Sequence, residues 1–153
     1  MKFNILSIGK FKDKNCEELF LEYKKRMDFS INLKELTLKK NYEGEKLKEE
    51  EGKLLLQNVG KNAKLIVLDE RGKIITTPDF HNLIINYQNS SVDEIDFIIG
   101  GADGLSQEVR DRADFILSFG KMVFPHLFVR VMLIEQLYRV WTIKNKHPYH
   151  LFR

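Results

Sequence analysis

The chain has 153 residues, of which 43% are hydrophobic and 31% charged, a composition that is ordinary for one soluble globular domain. No apolar run approaches the ~20 residues of a membrane helix, and the first residues lack a signal-peptide pattern. The single cysteine, Cys16, excludes an internal disulfide and a cysteine metal cluster. We therefore expect one cytoplasmic domain over residues 1–153, with no metal site and no membrane partner.

The net charge of +3 is unevenly distributed along the chain. From Ser118 onward, six basic residues and one acid, Glu135, give a local charge of +5, which leaves −2 for the preceding residues. Positive charge concentrated in one part of a chain favours a polyanionic partner such as RNA. A basic tail without such a partner fits the charge equally well.

Strand and helix patterns alternate along the chain. Apolar runs, alternating or continuous, predict five strands at residues 2–8, 31–38, 64–69, 95–99 and 115–119. Helical spacing and capping signals predict five helices. The first ends near Asp28 and the second near Val59, and the third begins at Thr77–Pro78. The fourth covers 106–113, and the fifth runs from Pro125 to Lys144. This order predicts an α/β fold with a mostly parallel sheet and helices on both faces.

The sequence also makes specific predictions for one turn, one helix cap and the second helix. Residues 70–73, Glu-Arg-Gly-Lys, are expected to form a turn after the third strand, and Thr77 is expected to cap the third helix. Gly44 and Gly52 weaken the early part of the second helix, because glycine is a poor helix former. We therefore expect the leucine-rich later part to form its buried side.

A glycine-rich turn, Gly100–Gly104, follows the predicted strand 95–99. Open α/β sheets bind ligands beyond the carboxyl ends of their strands, and glycine lets a ligand approach the backbone closely. The turn matches neither a dinucleotide-binding nor a Walker pattern. It indicates either a ligand pocket of another kind or a plain tight turn.

The segment 119–124 is unusually apolar for a connection between a strand and a helix. Such a loop is expected to fold over an apolar or aromatic ligand. Alternatively, Met122 and Phe124 pack into the core, and both descriptions can hold together.

The last predicted helix has apolar residues on nearly every face and therefore needs cover on all sides. One sheet covers only one side, so we expect a homodimer. Arg130 and Arg139 are polar exceptions in this helix. Each either has a buried partner or lines the site, or else extends to the surface.

The tail His147–His150 contains two histidines and a tyrosine at the basic end of the chain. Histidine exchanges protons near neutral pH, and tyrosine can stack on a nucleobase. The alternative is a frayed terminus.

Four segments taken together are similar to one known family. FIIGGADGLS, LSFGKMVFPH, VRVMLIEQLYR and the closing HPYH resemble the ribosomal RNA large-subunit methyltransferase H proteins, which belong to the SPOUT class of methyltransferases. The likeness extends to KFNILSIGK at the start and to LDERGK, so it covers essentially the whole chain. Residues 151–153 extend this chain slightly beyond the usual end of the family.

The resemblance implies a fold and an activity that the patterns alone do not indicate. It implies a C-terminal trefoil knot that binds S-adenosyl-methionine, within a homodimer. It also implies methylation of the N3 nitrogen of a pseudouridine in 23S ribosomal RNA, on assembled ribosomes. The alternatives are a non-catalytic ribosome-binding factor that retains the fold, and a flavodoxin-like nucleotide-binding enzyme.

The resemblance also implies residue roles. The implied cofactor contacts are Leu68, Gly100, Phe119, Gly120, Lys121, Met122, Val123 and Phe124. Arg139, Tyr149 and His150 are expected near the target base, with His150 as the first candidate for the base that removes its proton and Arg139 as a stabilising cation. The expected phosphate contacts are Lys121, Lys144, Lys146 and Arg153.

Overall fold

A computed structural model describes residues 1–151 and shows alternating strands and helices. The strands are β1 (Lys2–Ile8), β2 (Ser30–Leu36), β3 (Lys64–Ile74), β4 (Glu94–Ile99) and β5 (Phe115–Ser118). The helices are α1 (Lys14–Lys25), α2 (Gly44–Gln57), α3 (Thr77–Asn89), α4 (Gln107–Arg112) and α5 (His126–Lys144), followed by a 3-10 helix at Pro148–Leu151.

The five strands form one sheet in the order β2-β1-β4-β3-β5, and every neighbouring pair is parallel. This confirms the predicted α/β class and its parallel sheet. A flavodoxin-like sheet has the order 2-1-3-4-5, so the strand order contradicts the flavodoxin-like alternative.

Helices cover both faces of the sheet, as predicted. Because successive side chains of a strand point to opposite faces, each strand contributes to two apolar clusters. The larger cluster joins the sheet to α1, α3 and α5, and it includes Phe3, Ile5, Phe20, Ile66, Phe80, Phe97, Leu133 and Leu137. The other joins it to α2 and α4, and it consists of Leu6, Leu55, Leu65, Val67, Ile98, Leu105 and Val109.

The turn expected at residues 70–73 is wrong, because β3 continues through it to Ile74. The register of β3 against β5 shifts between Leu68 and Lys73, so the extra residues form an irregularity within the strand. Gly72 makes this possible, because a Cβ at that position would lie 2.6 Å from the carbonyl oxygen of Ile116.

The second helix also differs from the expectation, because α2 begins at Gly44 and includes Gly52. A Cβ at Gly52 would overlap the hydroxyl of Ser106. Glycine is therefore present here because α2 packs closely against the start of α4, and this packing outweighs its poor intrinsic helix propensity.

Some boundaries lie a few residues from their predicted positions. The cap of α3 is Thr76, not Thr77: its side chain accepts from Asp79 N–H, and the Asp79 carboxylate accepts from Thr76 N–H. α1 ends at Lys25, and β2 ends at Leu36. Within residues 1–151, no helix is long and apolar enough to cross a membrane. The trefoil knot stays a prediction.

Candidate functional site

A cavity of about 750 Å³ lies beyond the carboxyl ends of β4 and β5, beside residues 68–70 in the middle of β3. Its walls are the glycine turn after β4, the loop between β5 and α5, and the first turn of α5. The residues that line it include Leu68, Gly100, Asp103, Phe119, Met122 and His126. This is the sheet edge at which open α/β folds bind their ligands.

The glycine turn is held by its own backbone. Gly104 N–H donates to the carbonyl oxygen of Gly101 at 3.1 Å, and Gly104 has a φ of +84° that favours glycine. A Cβ at Gly100 would lie 2.7 Å from the side chain of Leu105, which is buried in the core. The turn is thus both tight and part of the cavity wall.

The loop after β5 is fixed at its start and exposed along its length. The buried hydroxyl of Ser118 accepts from Gly120 N–H at 3.0 Å, and Gly120 has a φ of +135°. Beyond this point, Met122 is 75% exposed and Val123 is 83% exposed. The alternative in which Met122 packs into the core is therefore wrong, and the loop presents apolar surface beside the cavity.

The structure brings most of the predicted cofactor contacts together. Seven of the eight line the cavity: Leu68, Gly100, Phe119, Gly120, Met122, Val123 and Phe124. Lys121 is exposed and is not among the lining residues.

Four polar residues of the cavity wall were not among the predicted contacts. They are Asp69, Glu70, Asp103 and His126. Asp69 could have been found, because it is the acid that ends the apolar run of the third strand. His126 had a weaker signal, as the first residue of the apolar helix. Asp69 forms an ion pair of 3.5 Å with Arg110, which restrains its nearly buried carboxylate in the cavity wall.

A second polar cluster lies at the other end of α5. Glu135 Oε1 accepts from Arg139 Nε at 2.7 Å and from the Tyr149 hydroxyl at 3.2 Å. The guanidinium of Arg139 lies 5.2 Å from the centre of the Tyr149 ring. The tail is therefore packed against α5, and the alternative of a frayed terminus is wrong for Tyr149.

The environment of Tyr149 determines its protonation state. Burial, together with the Tyr23 hydroxyl at 3.3 Å and the Glu135 carboxylate, raises the pKa of Tyr149 far above its ordinary value. Tyr149 is therefore a neutral hydrogen-bonding group. The neighbouring His150 is partly buried, and its Nδ1 has no hydrogen-bond partner within the described residues.

The cavity and the tail cluster are far apart within one chain. Arg139 follows His126 by thirteen residues of the same helix, which corresponds to a rise of about 20 Å. The structure thus groups the predicted cofactor contacts at one end of α5. The predicted base-proximal residues Arg139, Tyr149 and His150 lie at the other end.

The two arginines of α5 have different environments. Arg130 is fully buried and donates to the carbonyl oxygens of Ile8 at 2.8 Å and Gly9 at 2.9 Å, with Glu35 at 3.3 Å. Arg139 is partly exposed and bonded to Glu135. Arg130 therefore ties α5 to the end of β1 and contributes little to the surface charge.

The predicted phosphate contacts are divided between the two ends of α5. Lys121 lies in the loop beside the cavity, whereas Lys144 and Lys146 lie at the end of α5 near the tail. All three are exposed. Arg153 lies outside the described residues. Residues 1–151 contain no group of three or more His, Cys, Asp or Glu side chains that could hold a metal ion.

Comparisons with known proteins agree along nearly the whole chain. A family model described as a predicted SPOUT methyltransferase matches residues 1–150. Proteins named ribosomal RNA large subunit methyltransferase H from Rhodospirillum centenum and Clostridium botulinum strain Hall are 41% and 42% identical to the chain. Each of these matches covers 98% of this chain and 99% of the relative.

Among solved structures, a probable methylase family protein from Haemophilus influenzae Rd KW20 superposes with a TM-score of 0.57 at 13% identity. The match covers 97% of this chain and 68% of that one, and it shows a shared fold. The chain therefore belongs to the SPOUT methyltransferases and, within them, to the ribosomal RNA large subunit methyltransferase H family.

Proposed function

We propose that this methyltransferase transfers the methyl group of S-adenosyl-methionine to the N3 nitrogen of a pseudouridine in 23S ribosomal RNA, on assembled ribosomes in the cytoplasm. The main support is the 750 Å³ cavity, whose wall contains seven of the eight residues implied as cofactor contacts. The names of relatives that match nearly the whole chain support the RNA substrate.

The chemistry of the cavity wall fits this methyl donor. Leu68 in the middle of β3 and Phe119 after β5 give the cavity an apolar wall, which suits an adenine ring. The glycine turn exposes backbone groups to the polar edge of that ring. The carboxylate of Asp103 complements the positive charges of the cofactor's sulfonium and ammonium groups, whereas Asp69 is already paired with Arg110. The cofactor would supply the activated methyl group.

A homodimer would account for the distance between the cavity and the tail cluster. A partly exposed stripe of α5 leads from the cavity to the tail, and it is formed by Phe128, Met132, Glu135 and Arg139. Phe128, at the cavity end of this stripe, is 51% exposed. If a second copy packs against this stripe in the opposite direction, its tail reaches the cavity of the first copy. We propose that the active site is completed in this way.

Within such a site, the tail residues would act on the target base. Removing the N3 proton of pseudouridine requires a base or a nearby cation that stabilises the anion. His150 is the proposed base, and Arg139 the proposed cation. Tyr149 would contact the target nucleobase as a neutral ring, because its raised pKa opposes ionisation.

The exposed lysines would bind the RNA backbone. If Lys121, Lys144 and Lys146 contact phosphates, together with Arg153, replacing them should reduce the salt dependence of ribosome binding. The test is the slope of binding constant against salt concentration for a variant with all four replaced by glutamine. An unchanged slope would contradict this role.

Methyl transfer from labelled S-adenosyl-methionine tests the proposal directly. The acceptors are ribosomes from a strain that lacks this methylation. We expect label on 23S RNA with the wild-type protein and a rate reduced about 100-fold in His150→Ala and Arg139→Ala under single-turnover conditions. His81→Ala, on α3, is the matched control.

Two outcomes would contradict the proposal. If His150→Ala and Arg139→Ala both retain the wild-type rate, the tail residues are not catalytic. If the wild-type protein binds ribosomes but neither transfers label nor gives a calorimetric signal with S-adenosyl-homocysteine, it is a non-catalytic binding factor.

A further inference from the structure

Two buried nitrogen atoms at the start of α5 have no hydrogen-bond partner within residues 1–151. They are Nδ1 of His126 and Nε of Arg130. These residues are four positions apart in one helix, so their side chains lie on the same side, one turn from each other. His126 also lines the cavity.

The orientation of Arg130 is fixed by its other contacts. Nη2 donates to the carbonyl oxygens of Ile8 and Gly9, and Nη1 donates to Glu35 at 3.3 Å. The Phe11 ring lies 4.8 Å from the guanidinium carbon. A guanidinium has only donors and no acceptor. Towards His126, this group therefore presents N–H bonds and positive charge.

This environment selects one form of the imidazole. Burial, followed by the positive charges of Arg130 and Lys12, lowers the pKa of His126. The nearby carboxylate, Glu35, is bonded to Arg130. A neutral imidazole has one donor and one acceptor. Because Nδ1 is buried and the neighbouring guanidinium has only donors, this environment favours the tautomer in which Nδ1 is unprotonated and the proton is on Nε2.

We infer that His126 is a further cofactor-binding residue, which donates a hydrogen bond from Nε2 to an acceptor atom of S-adenosyl-methionine in the cavity. Arg130 acts as a positioning residue that holds the tautomer. The inference rests on the proposed use of the cavity as the cofactor site.

Calorimetric titration with S-adenosyl-homocysteine tests this role. In His126→Phe, the ring volume remains but the donor is lost, and we expect the dissociation constant to rise about tenfold. In His126→Gln, the amide nitrogen can occupy a position close to that of Nε2, and we expect a dissociation constant within about threefold of wild type. Equal affinity of His126→Phe and wild type would overturn the inference.

The titration separates this inference from the proposed function. If the wild-type protein does not bind S-adenosyl-homocysteine, both fail. If it binds and His126→Phe binds equally well, only the role of His126 fails.

The tautomer gives a readout that does not depend on the variants folding. In nitrogen-15 NMR spectra of the wild-type protein near neutral pH, we expect His126 to show a protonated Nε2 and an unprotonated Nδ1. A protonated Nδ1, in either a neutral or a charged ring, would overturn the inference even if both substituted proteins unfold.

Discussion

Arg130 is a fully buried cation with three polar partners, and its replacement should destabilise the fold strongly. Arg130→Met leaves the carbonyl oxygens of Ile8 and Gly9 without their donor and Glu35 without its partner. Breaking a buried ion pair of this kind costs about 3 kcal/mol. Urea unfolding should show a loss of that size in the free energy of unfolding.

The matched control is Lys14→Met, because Lys14 forms an exposed ion pair with Glu18. It should leave the free energy of unfolding unchanged within error. A loss in Arg130→Met no larger than that in the control would contradict the structural role of Arg130.

Glu51 should make stability depend on pH. Its Oε1 is buried without a hydrogen-bond partner within the described residues, and burial, followed by the charge of Asp103, raises its pKa. A carboxyl group whose pKa is higher in the folded protein than in the unfolded chain favours folding at acid pH. This contribution is lost as the pH rises through the folded-state pKa. Glu51→Gln should therefore be more stable than wild type at pH 8.

This advantage should disappear below about pH 4, where the carboxyl is protonated in both states. Thermal unfolding midpoints of wild type and Glu51→Gln across this range give the measurement. The control is Glu49→Gln, which changes an exposed carboxylate on the same helix. A constant difference between Glu51→Gln and wild type at all pH values would contradict the assignment.

At the scale of elements, the cap of α3 gives a defined prediction. Thr76→Ala removes the acceptor for Asp79 N–H and breaks the reciprocal capping pair. We expect a loss of about 1 kcal/mol in the free energy of unfolding. Thr76→Ser keeps the hydroxyl and should retain most of the stability. Equal losses in the two variants would show that the hydroxyl is not the capping group.

Most of the elements could be predicted from the sequence, because each strand is an apolar run and each helix has a stripe or a cap. The differences arise where tertiary packing decides. The continuation of β3 past residue 70 requires the close approach of Gly72 to Ile116, and the inclusion of Gly52 in α2 requires the approach of α4. No local pattern contains these contacts.

The candidate site was predictable to a similar extent. Glycines and apolar loop residues at strand ends indicated the cavity, because parallel strands place their carboxyl ends together. The different environments of Arg130 and Arg139 were not predictable. They depend on which side of α5 faces the sheet, and a helix with apolar residues on nearly every face does not indicate that side.

At the scale of the whole molecule, the exposed stripe of α5 predicts self-association. Phe128→Glu places a charge at its apolar end and should convert the proposed dimer into a monomer, because an unpaired charge is costly to bury in an interface. Sedimentation at micromolar concentration gives the measurement. Gln57→Glu adds the same charge at the end of α2 and should leave a dimer. A wild-type monomer would contradict the prediction.

The active site proposed between two subunits can be tested with purified mixed dimers. Gly100→Val displaces the glycine turn of the cavity, since even a Cβ there would lie 2.7 Å from the Leu105 side chain. His150→Ala removes the proposed base. Each variant alone should transfer little methyl to ribosomes, with a rate about 100-fold below wild type for His150→Ala, and sedimentation should show that each still forms a dimer.

The most direct measurement is the methyl-transfer rate of a dimer that contains one Gly100→Val chain and one His150→Ala chain. If the cavity of one subunit works with the tail of the other, one of two sites is intact, and the rate should be about half that of wild type. A dimer of wild type with a chain containing both substitutions should then be inactive. The opposite result would be an inactive dimer of Gly100→Val and His150→Ala chains together with a half-active dimer of wild type and the doubly substituted chain. It would contradict the shared active site, because the cavity and the tail would then act within one chain.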